Sequence, residues 1–225
     1  MKNYRFFPVG ENALTVEFGN VIDENLNRQV IALGKYLTEN PFHGLLEIVP
    51  AYASLTVFFN VLKVKKHYSS GLTAFETVGN LLSKPLEKLK TPTKETSKLV
   101  EIPIIIDEES SPDLAFVAEI NKLSIEKVIE IFLAETYRVY MLGFLPGFAY
   151  MGEVDAQISA PRKESPRQTV RAGSVGIAGT QTGIYPFDSP GGWQIIGRTE
   201  IKLFDQTNEK PTLFEVGDSV KFIRL

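Results

Sequence analysis

Apolar and polar positions divide the chain into a first part with helical periodicity and a later part of short strands. Residues 4–9 (YRFFPV) and 13–18 (ALTVEF) predict two strands joined near Gly10–Asn12. In the second, Leu14, Val16 and Phe18 recur with the strand period of two. Leu26, Val30, Leu33 and Leu37 then recur at spacings of four, three and four, which predicts an amphipathic helix over residues 24–38. Asp23 is placed to cap it and Pro41 to end it. Residues 44–50 and 54–59 predict two more strands. Leu72, Phe75, Val78 and Leu82 predict a second helix, capped by Ser69 or Ser70 and ending near Leu82. The order β-β-α-β-β-α implies an α+β N-terminal domain over 1–82, an antiparallel sheet with helices on one side.

Residues 83–98 are polar and lysine-rich, carry Pro85 and Pro92, and read as an inter-domain linker. Beyond them lies a second domain, 99–225. It opens with a strand at 99–106 interrupted by Pro103. A helix follows from Pro112 or Asp113 with Ser111 as its cap, then a short helix from Ser124 to about Ala134. From residue 136 the pattern is one of short strands cut by glycine and proline. GFLPGFAYMG (143–152) alone holds three glycines and one proline. Many short strands with few helices predict a mostly β, closed or nearly closed barrel, because closure hides sheet edges.

Composition narrows the chemistry. Lys plus Arg is 24 against 27 Asp plus Glu, a net charge of −3 over 225 residues, so no overall basic excess points to nucleic acid or a membrane surface. There is no cysteine, which excludes disulfides, thiolate catalysis and cysteine-ligated metals. The two histidines, His43 and His67, lack ligand partners at metal spacing, so no metal site is expected. His43 reads as a turn residue and His67 as a solvated strand end. The opening residues lack a signal-peptide pattern and no apolar run is long enough to span a bilayer, so a cytoplasmic location is expected.

Residues 137–199 are the richest stretch. Arg138, Arg171, Gln181, Thr182, Tyr185 and Ser189 are interleaved with its glycines. Arginine clamps carboxylates bidentately, and glycine permits tight turns or close approach of backbone to a ligand. The phosphate-loop and dinucleotide glycine patterns are both missing. Ser124 and Lys127 form an S-x-x-K pair that marks a helix start.

YRVYMLGFLPGFAYMG (137–152) and VRAGSVGIAGTQTGIYPFDSPGGWQIIGRT (170–199), with VGENALTVEFG and EIVPAYASLTVFF earlier, resemble the family of B subunits of ATP-hydrolysing 5-oxoprolinase. That family is related to the sporulation kinase A inhibitor and to allophanate hydrolase subunit 1, a carboxyltransferase-like protein. The resemblance implies an N-terminal α+β domain and a C-terminal cyclophilin-like β-barrel. It implies hetero-oligomeric association with the C-type subunit, of related barrel architecture, and with the A-type subunit of 5-oxoprolinase. The complex would open 5-oxo-L-proline to L-glutamate with ATP, accompanied by Mg, and this chain alone would be inactive. Two alternatives stay open: a regulator that binds and inhibits a sensor histidine kinase, and a carboxyltransferase-like subunit of a biotin-dependent or allophanate-type enzyme.

On that resemblance, Arg138 and Arg171 are candidates for the substrate carboxylate, and Gln181 and Tyr185 for the ring or carbonyl. Gly147, Gly179 and Gly183 are candidates for close backbone approach. No catalytic residue is assigned. The barrel has no histidine, so a general base would be Glu153, Asp155, Asp188 or a group from a partner chain, with the partner preferred. Two segments depart from the family pattern. Phe132 stands where relatives often carry histidine, and Ile105–Ile106–Asp107–Glu108 where they often carry a cysteine–tyrosine–glycine–glycine run. If those groups touch substrate, this chain has lost them.

Overall fold

The computed structural model describes residues 4–69, 71–88 and 97–225. Contacts divide the chain into two units, Met1–Thr96 and Ser97–Leu225.

The first unit is an antiparallel four-stranded sheet with helices. Strands β1 (Arg5–Pro8), β2 (Ala13–Glu17), β3 (Leu45–Pro50) and β4 (Ser54–Phe59) run in the order β1-β2-β4-β3. Helix α1 (Glu24–Glu39) begins where expected: the Asp23 carboxylate accepts from the Leu26 N–H at 2.9 Å. Its stripe of Val30, Leu33 and Leu37 packs with Leu14, Val16, Leu55, Val57 and Phe59 into one core. The second half of the unit differs from the expectation. Helix α2 (Val61–Tyr68) is capped by the Asn60 side chain, which accepts from the Lys63 N–H at 2.9 Å. Its single buried residue, Val64, leaves almost no apolar stripe to read. His67 therefore lies on a helix, and its ring stacks on that of His43 with centroids 4.4 Å apart.

Ser69 ends α2 in a left-handed conformation, φ +40°, rather than starting the next helix. Ser70 lies outside the described residues. Helix α3 (Ala74–Lys88) is begun by Thr73 and Glu76 in a reciprocal box: the Glu76 N–H donates to Thr73 Oγ1 at 3.1 Å and the Thr73 N–H to Glu76 Oε2 at 2.8 Å. It continues past Leu82 with Pro85 buried inside it, so 83–88 of the expected linker is helical. Residues 89–96 lie outside the described residues.

The second unit is built on a seven-stranded sheet. Its strands are β5 (Leu99–Ile104), β6 (Tyr137–Leu142), β7 (Ala149–Gly152), β9 (Ser174–Ala178), β10 (Gln181–Ile184), β12 (Gln194–Arg198) and β13 (Ser219–Arg224). The order is β12-β9-β10-β7-β6-β13-β5. All pairs are antiparallel except β13 with β5. An isolated bridge joins Ile105 to Arg198, with N–H···O bonds of 2.7 and 2.9 Å, and brings the two edge strands together into a nearly closed barrel. A separate ribbon pairs β8 (Arg167–Val170) with β11 (Ser189–Gly191). The peptide bond Gly152–Glu153 is cis.

Helices α4 (Leu114–Ile120) and α5 (Ile125–Ala134) pack Val117, Val128 and Phe132 against Ile102, Val139, Met151, Ile177 and Phe222. Ser124 caps α5, accepting from the Lys127 N–H at 3.2 Å. Ser111 does not cap α4; its hydroxyl donates to the Asp107 carbonyl. Asp113 takes the capping position without making a capping bond, because its carboxylate is engaged elsewhere. No described helix is long and apolar enough to cross a membrane.

Candidate functional site

The sheet of the second unit has two faces. One is the barrel core, lined by Val139, Met151, Val175 and Ile177. On the other, pleating places Tyr150 and Gly152 of β7, Gln181, Gly183 and Tyr185 at and beyond β10, and Gly176 and Ala178 of β9. Arg138 of β6 lies opposite Gly152. Since Thr182 pairs with Met151, the register carries Gln181 opposite Gly152 from the other side. Arg138, Gly152 and Gln181 thus form one row across three strands, with a glycine between two polar side chains.

A bulge sits at this row. Val139 pairs with Met151 and Met141 with Tyr150, so Tyr140 is the additional residue of β6. Bulges re-aim a side chain, and the buried Tyr140 directs its hydroxyl to Glu153 Oε1 at 3.3 Å. Glu153 is exposed and follows Gly152 directly. The Arg138 guanidinium also reaches the Gly217 carbonyl at 3.4 Å. A guanidinium, a carboxamide, a phenol and a carboxylate therefore flank one glycine at one end of the face.

The other end of the face is aromatic. Phe148 packs against Tyr150, Tyr185 and Trp193, with centroid separations of 4.8, 5.4 and 5.6 Å. Arg162 lies 5.9 Å over the Trp193 ring. Burial raises the pKa of the Tyr185 hydroxyl, opposed by a hydrogen bond from the Trp193 backbone and by Arg162; burial likewise raises that of Tyr150. Phe144 stands at the rim with φ +69° and 58% exposure, edge-on to Phe148 and Tyr185. An exposed aromatic held at positive φ is a strained placement of the kind that clusters at functional sites. The Ser189 hydroxyl is buried without a hydrogen-bond partner among the described residues; Ser189 pairs with Val170, a member of the aromatic cluster.

The segment carrying Arg162 is fixed by Asp113, which is 4% exposed. Its carboxylate accepts from Arg167 at 2.7 and 2.8 Å, from the Ile195 N–H at 2.7 Å and from Lys163 at 3.2 Å. Burial would raise the pKa of this carboxyl group, but the bonds from Arg167, Ile195 and Lys163 outweigh it and hold the value below the ordinary one.

The four side chains expected to bind substrate thus separate. Arg138 and Gln181 share a row. Tyr185 is on the same face, four residues along from Gln181 and so about 13 Å away at ~3.3 Å per residue, within the aromatic cluster. Arg171 joins neither group: it follows β8 and pairs with Glu109 at 2.5 Å, with both side chains mostly exposed. Among the glycines, Gly179 is in the turn between β9 and β10 at φ +60°. A Cβ at Gly147 would lie 2.8 Å from Phe204 Cβ, and one at Gly183 would lie 2.8 Å from the Ala149 carbonyl and 2.9 Å from the Phe148 ring. Both positions are closed by the protein's own atoms.

Reasoning from sequence did not single out Tyr140, Tyr150 or Phe144. The signal for the aromatic group was present in the spacing of Phe144, Phe148 and Tyr150, all within the glycine-rich decapeptide. Phe132 is 1% exposed and stacks on Tyr137 and Phe222 at 5.0 Å, so that departure lies in the core and away from the polar row. Ile105 makes the barrel-closing bridge, and Asp107 accepts from the Ser110 N–H at 2.7 Å in a turn.

Residues 4–214 match the family described as carboxyltransferase domain, subdomain C and D. The chain is 45% identical over 223 residues to the B subunit of 5-oxoprolinase from Bacillus subtilis (strain 168), covering 99% of this chain and 93% of that one. It is 36% identical to the B subunit of 5-oxoprolinase from Escherichia coli O157:H7, covering 99% and 97%. The crystal structure of TTHA0988 superposes with a TM-score of 0.80 at 36% identity, covering 95% of this chain but 39% of that longer one. Agreement along almost the whole length of both chains, at identities well above those of mere fold likeness, shows that this chain belongs to the family of 5-oxoprolinase B subunits.

Proposed function

We propose that this chain is the B-type subunit of an ATP-dependent enzyme that opens 5-oxo-L-proline to L-glutamate, acting in a complex with A-type and C-type partners. The full-length likeness to the Bacillus subtilis 5-oxoprolinase chain carries this reading. The polar row supports it chemically. 5-Oxoproline is a small lactam bearing one carboxylate, and Arg138 supplies a guanidinium for that carboxylate. Gln181, opposite the same glycine, supplies a donor and an acceptor for the lactam N–H and carbonyl. ATP, with Mg, is a co-substrate of the complex in this reading, and the chain lacks the sequence pattern of a phosphate loop.

The test is co-expression with the A-type and C-type partners, followed by measurement of glutamate release from 5-oxo-L-proline with and without ATP. The expected result is ATP-dependent release by the complex and none by this chain alone. Release by the isolated chain, or no release by the intact complex, overturns the proposal.

A second reading follows from the matched family's description as a carboxyltransferase domain. In it the same row would hold a carboxylated carrier or acceptor. Inhibition of the complex by free biotin, with no use of 5-oxoproline, would favour this alternative.

A further inference from the structure

We infer that Glu153 is the proton-accepting catalytic residue that this chain brings to lactam opening, with Tyr140 as its positioning residue; this rests on the function proposed above. Residues 137–199 hold four carboxylates, Glu153, Asp155, Glu164 and Asp188, of which Glu164 belongs to the segment that Lys163 and Arg167 fasten to Asp113 rather than to the polar row. Asp155 caps the short 3-10 turn at Ala156–Ile158, accepting from the Gln157 N–H at 2.8 Å and from its side-chain amide at 3.3 Å. Asp188 accepts from the Ala172 N–H at 2.7 Å and ties two loops together. Both carboxylates are engaged in holding backbone.

Glu153, exposed like Asp188, differs in two respects: it accepts from a side chain rather than from backbone, and it follows the glycine that Arg138 and Gln181 flank. Its partner, Tyr140, is the additional residue of a bulge, so the departure from regular pairing is what presents the phenol to this carboxylate. A base held by one neutral donor keeps an oxygen available for water, whereas one clamped by an arginine does not.

Lactam opening then proceeds in balanced steps. The lactam oxygen first takes the γ-phosphoryl group of ATP, with ADP as the leaving group, and the ring N–H proton passes to solvent, which leaves a C=N bond in the ring. The oxygen of water bonds to that carbon as one water proton passes to Glu153 and the π electrons move to nitrogen. Glu153 then delivers this proton to nitrogen and returns to its carboxylate form. The added hydroxyl gives up its own proton by the same route as the C–N bond breaks, leaving an acyl phosphate and a primary amine. Hydrolysis of the acyl phosphate completes glutamate.

The experiment uses the reconstituted complex with 5-oxo-L-proline and ATP. Glu153→Gln is expected to lower kcat by about a hundredfold or more, within the range of a general base, while KM stays within about threefold. Glu153→Ala is expected to regain activity with added formate, and Glu153→Asp to hold an intermediate rate. Tyr140→Phe is expected to lower kcat less than tenfold at unchanged KM. Each variant must co-purify with its partners in wild-type yield, and the exposed position of Glu153 makes the conservative changes compatible with folding. A Glu153→Gln complex within threefold of wild-type kcat, or one altered in KM alone, overturns the inference while leaving the proposed function intact. A wild-type complex without turnover overturns both.

Discussion

The carboxylate of Asp113 receives both arms of Arg167, at 2.7 and 2.8 Å, and the side chain that accepts them is 5% exposed. The same carboxylate holds Lys163 and the Ile195 backbone, so one buried charge ties the start of α4 to β8, β12 and the segment that carries Arg162. Lys163 and the Ile195 N–H still face Asp113 when Arg167 is removed, and both cations are partly exposed, so loss of either partner costs about 1.5–3 kcal/mol, the order of a charge-assisted hydrogen bond. Asp113→Ala and Arg167→Ala are each expected to lose stability on that order in urea denaturation. Their double variant is expected to lose less than the sum.

The same group predicts a pH dependence. The Asp113 pKa is held below its ordinary value of 3.8, so the folded state is favoured by its ionised form. That contribution is fully present above about pH 4 and is lost as the pH falls through the lowered folded value. Asp113→Asn is expected to flatten the acid limb of the stability curve below about pH 4, measured by denaturation at fixed temperature across pH. An unchanged acid limb would show that other carboxylates dominate.

At Gly183 the packing leaves no room for a side chain. A methyl group there meets the Ala149 backbone carbonyl at 2.8 Å as well as the Phe148 ring, and the carbonyl belongs to the neighbouring strand. Gly183→Ala is expected to cost about 1–3 kcal/mol, the usual range for overpacking, and to disturb the near-ultraviolet circular dichroism of the aromatic cluster. A variant of wild-type stability and spectrum would contradict the closeness of this packing.

Phe132→His would introduce the residue that the family resemblance leads one to expect at this position. Phe132 lies between Tyr137 and Phe222, and the Tyr137 hydroxyl donates to its carbonyl at 2.8 Å. A polar ring in this position loses apolar burial and has to find partners for two nitrogens. The variant is expected to be less stable by about 2–4 kcal/mol, the order of a large core substitution. Turnover per folded complex is expected to stay within twofold of wild type. Gained activity would place this position in the chemistry after all.

The two arginines expected to act together should behave differently. Arg138→Ala is expected to raise KM for 5-oxoproline about tenfold to a hundredfold in the complex, the loss of a charge-assisted hydrogen bond of roughly 1.5–3 kcal/mol. Arg171→Ala removes an exposed ion pair with Glu109. Such pairs are worth about 0–1 kcal/mol, so both stability and kinetics should stay near wild type. Steady-state kinetics of the two variants side by side would decide the matter.

How much of this was legible in the sequence depended on whether a residue's partner was near in the chain. The α1 stripe and the Asp23 and Ser124 caps involve neighbours three or four residues away, and their types alone revealed them. Helix α2 was hidden because a helix with one buried side chain has no periodicity to read. Asp113 looked like a helix start, yet its carboxylate answers to Arg167 and Ile195, more than fifty residues on. In the same way Arg138 and Gln181 do lie in one row, but Arg171 was grouped with them by the family resemblance and its side-chain chemistry. Strand register, which no local pattern sets, separates it from them.

The parallel pairing of β13 with β5 has a consequence for synthesis. Residues 219–224 form the strand between β6 and β5, so the first strand of the second unit joins its sheet only through the last one made. A nascent chain halted before about residue 219 would hold β5 by the Ile105–Arg198 bridge and by packing on α4 and α5, without its strand partner. Its Ile102 and Ile104 would have α4 and α5 to pack on but no neighbouring strand in the sheet over more than a hundred residues of translation. On a ribosome this half of the protein is therefore expected to become protease-resistant in one late step, after β13 has cleared the exit tunnel, rather than strand by strand.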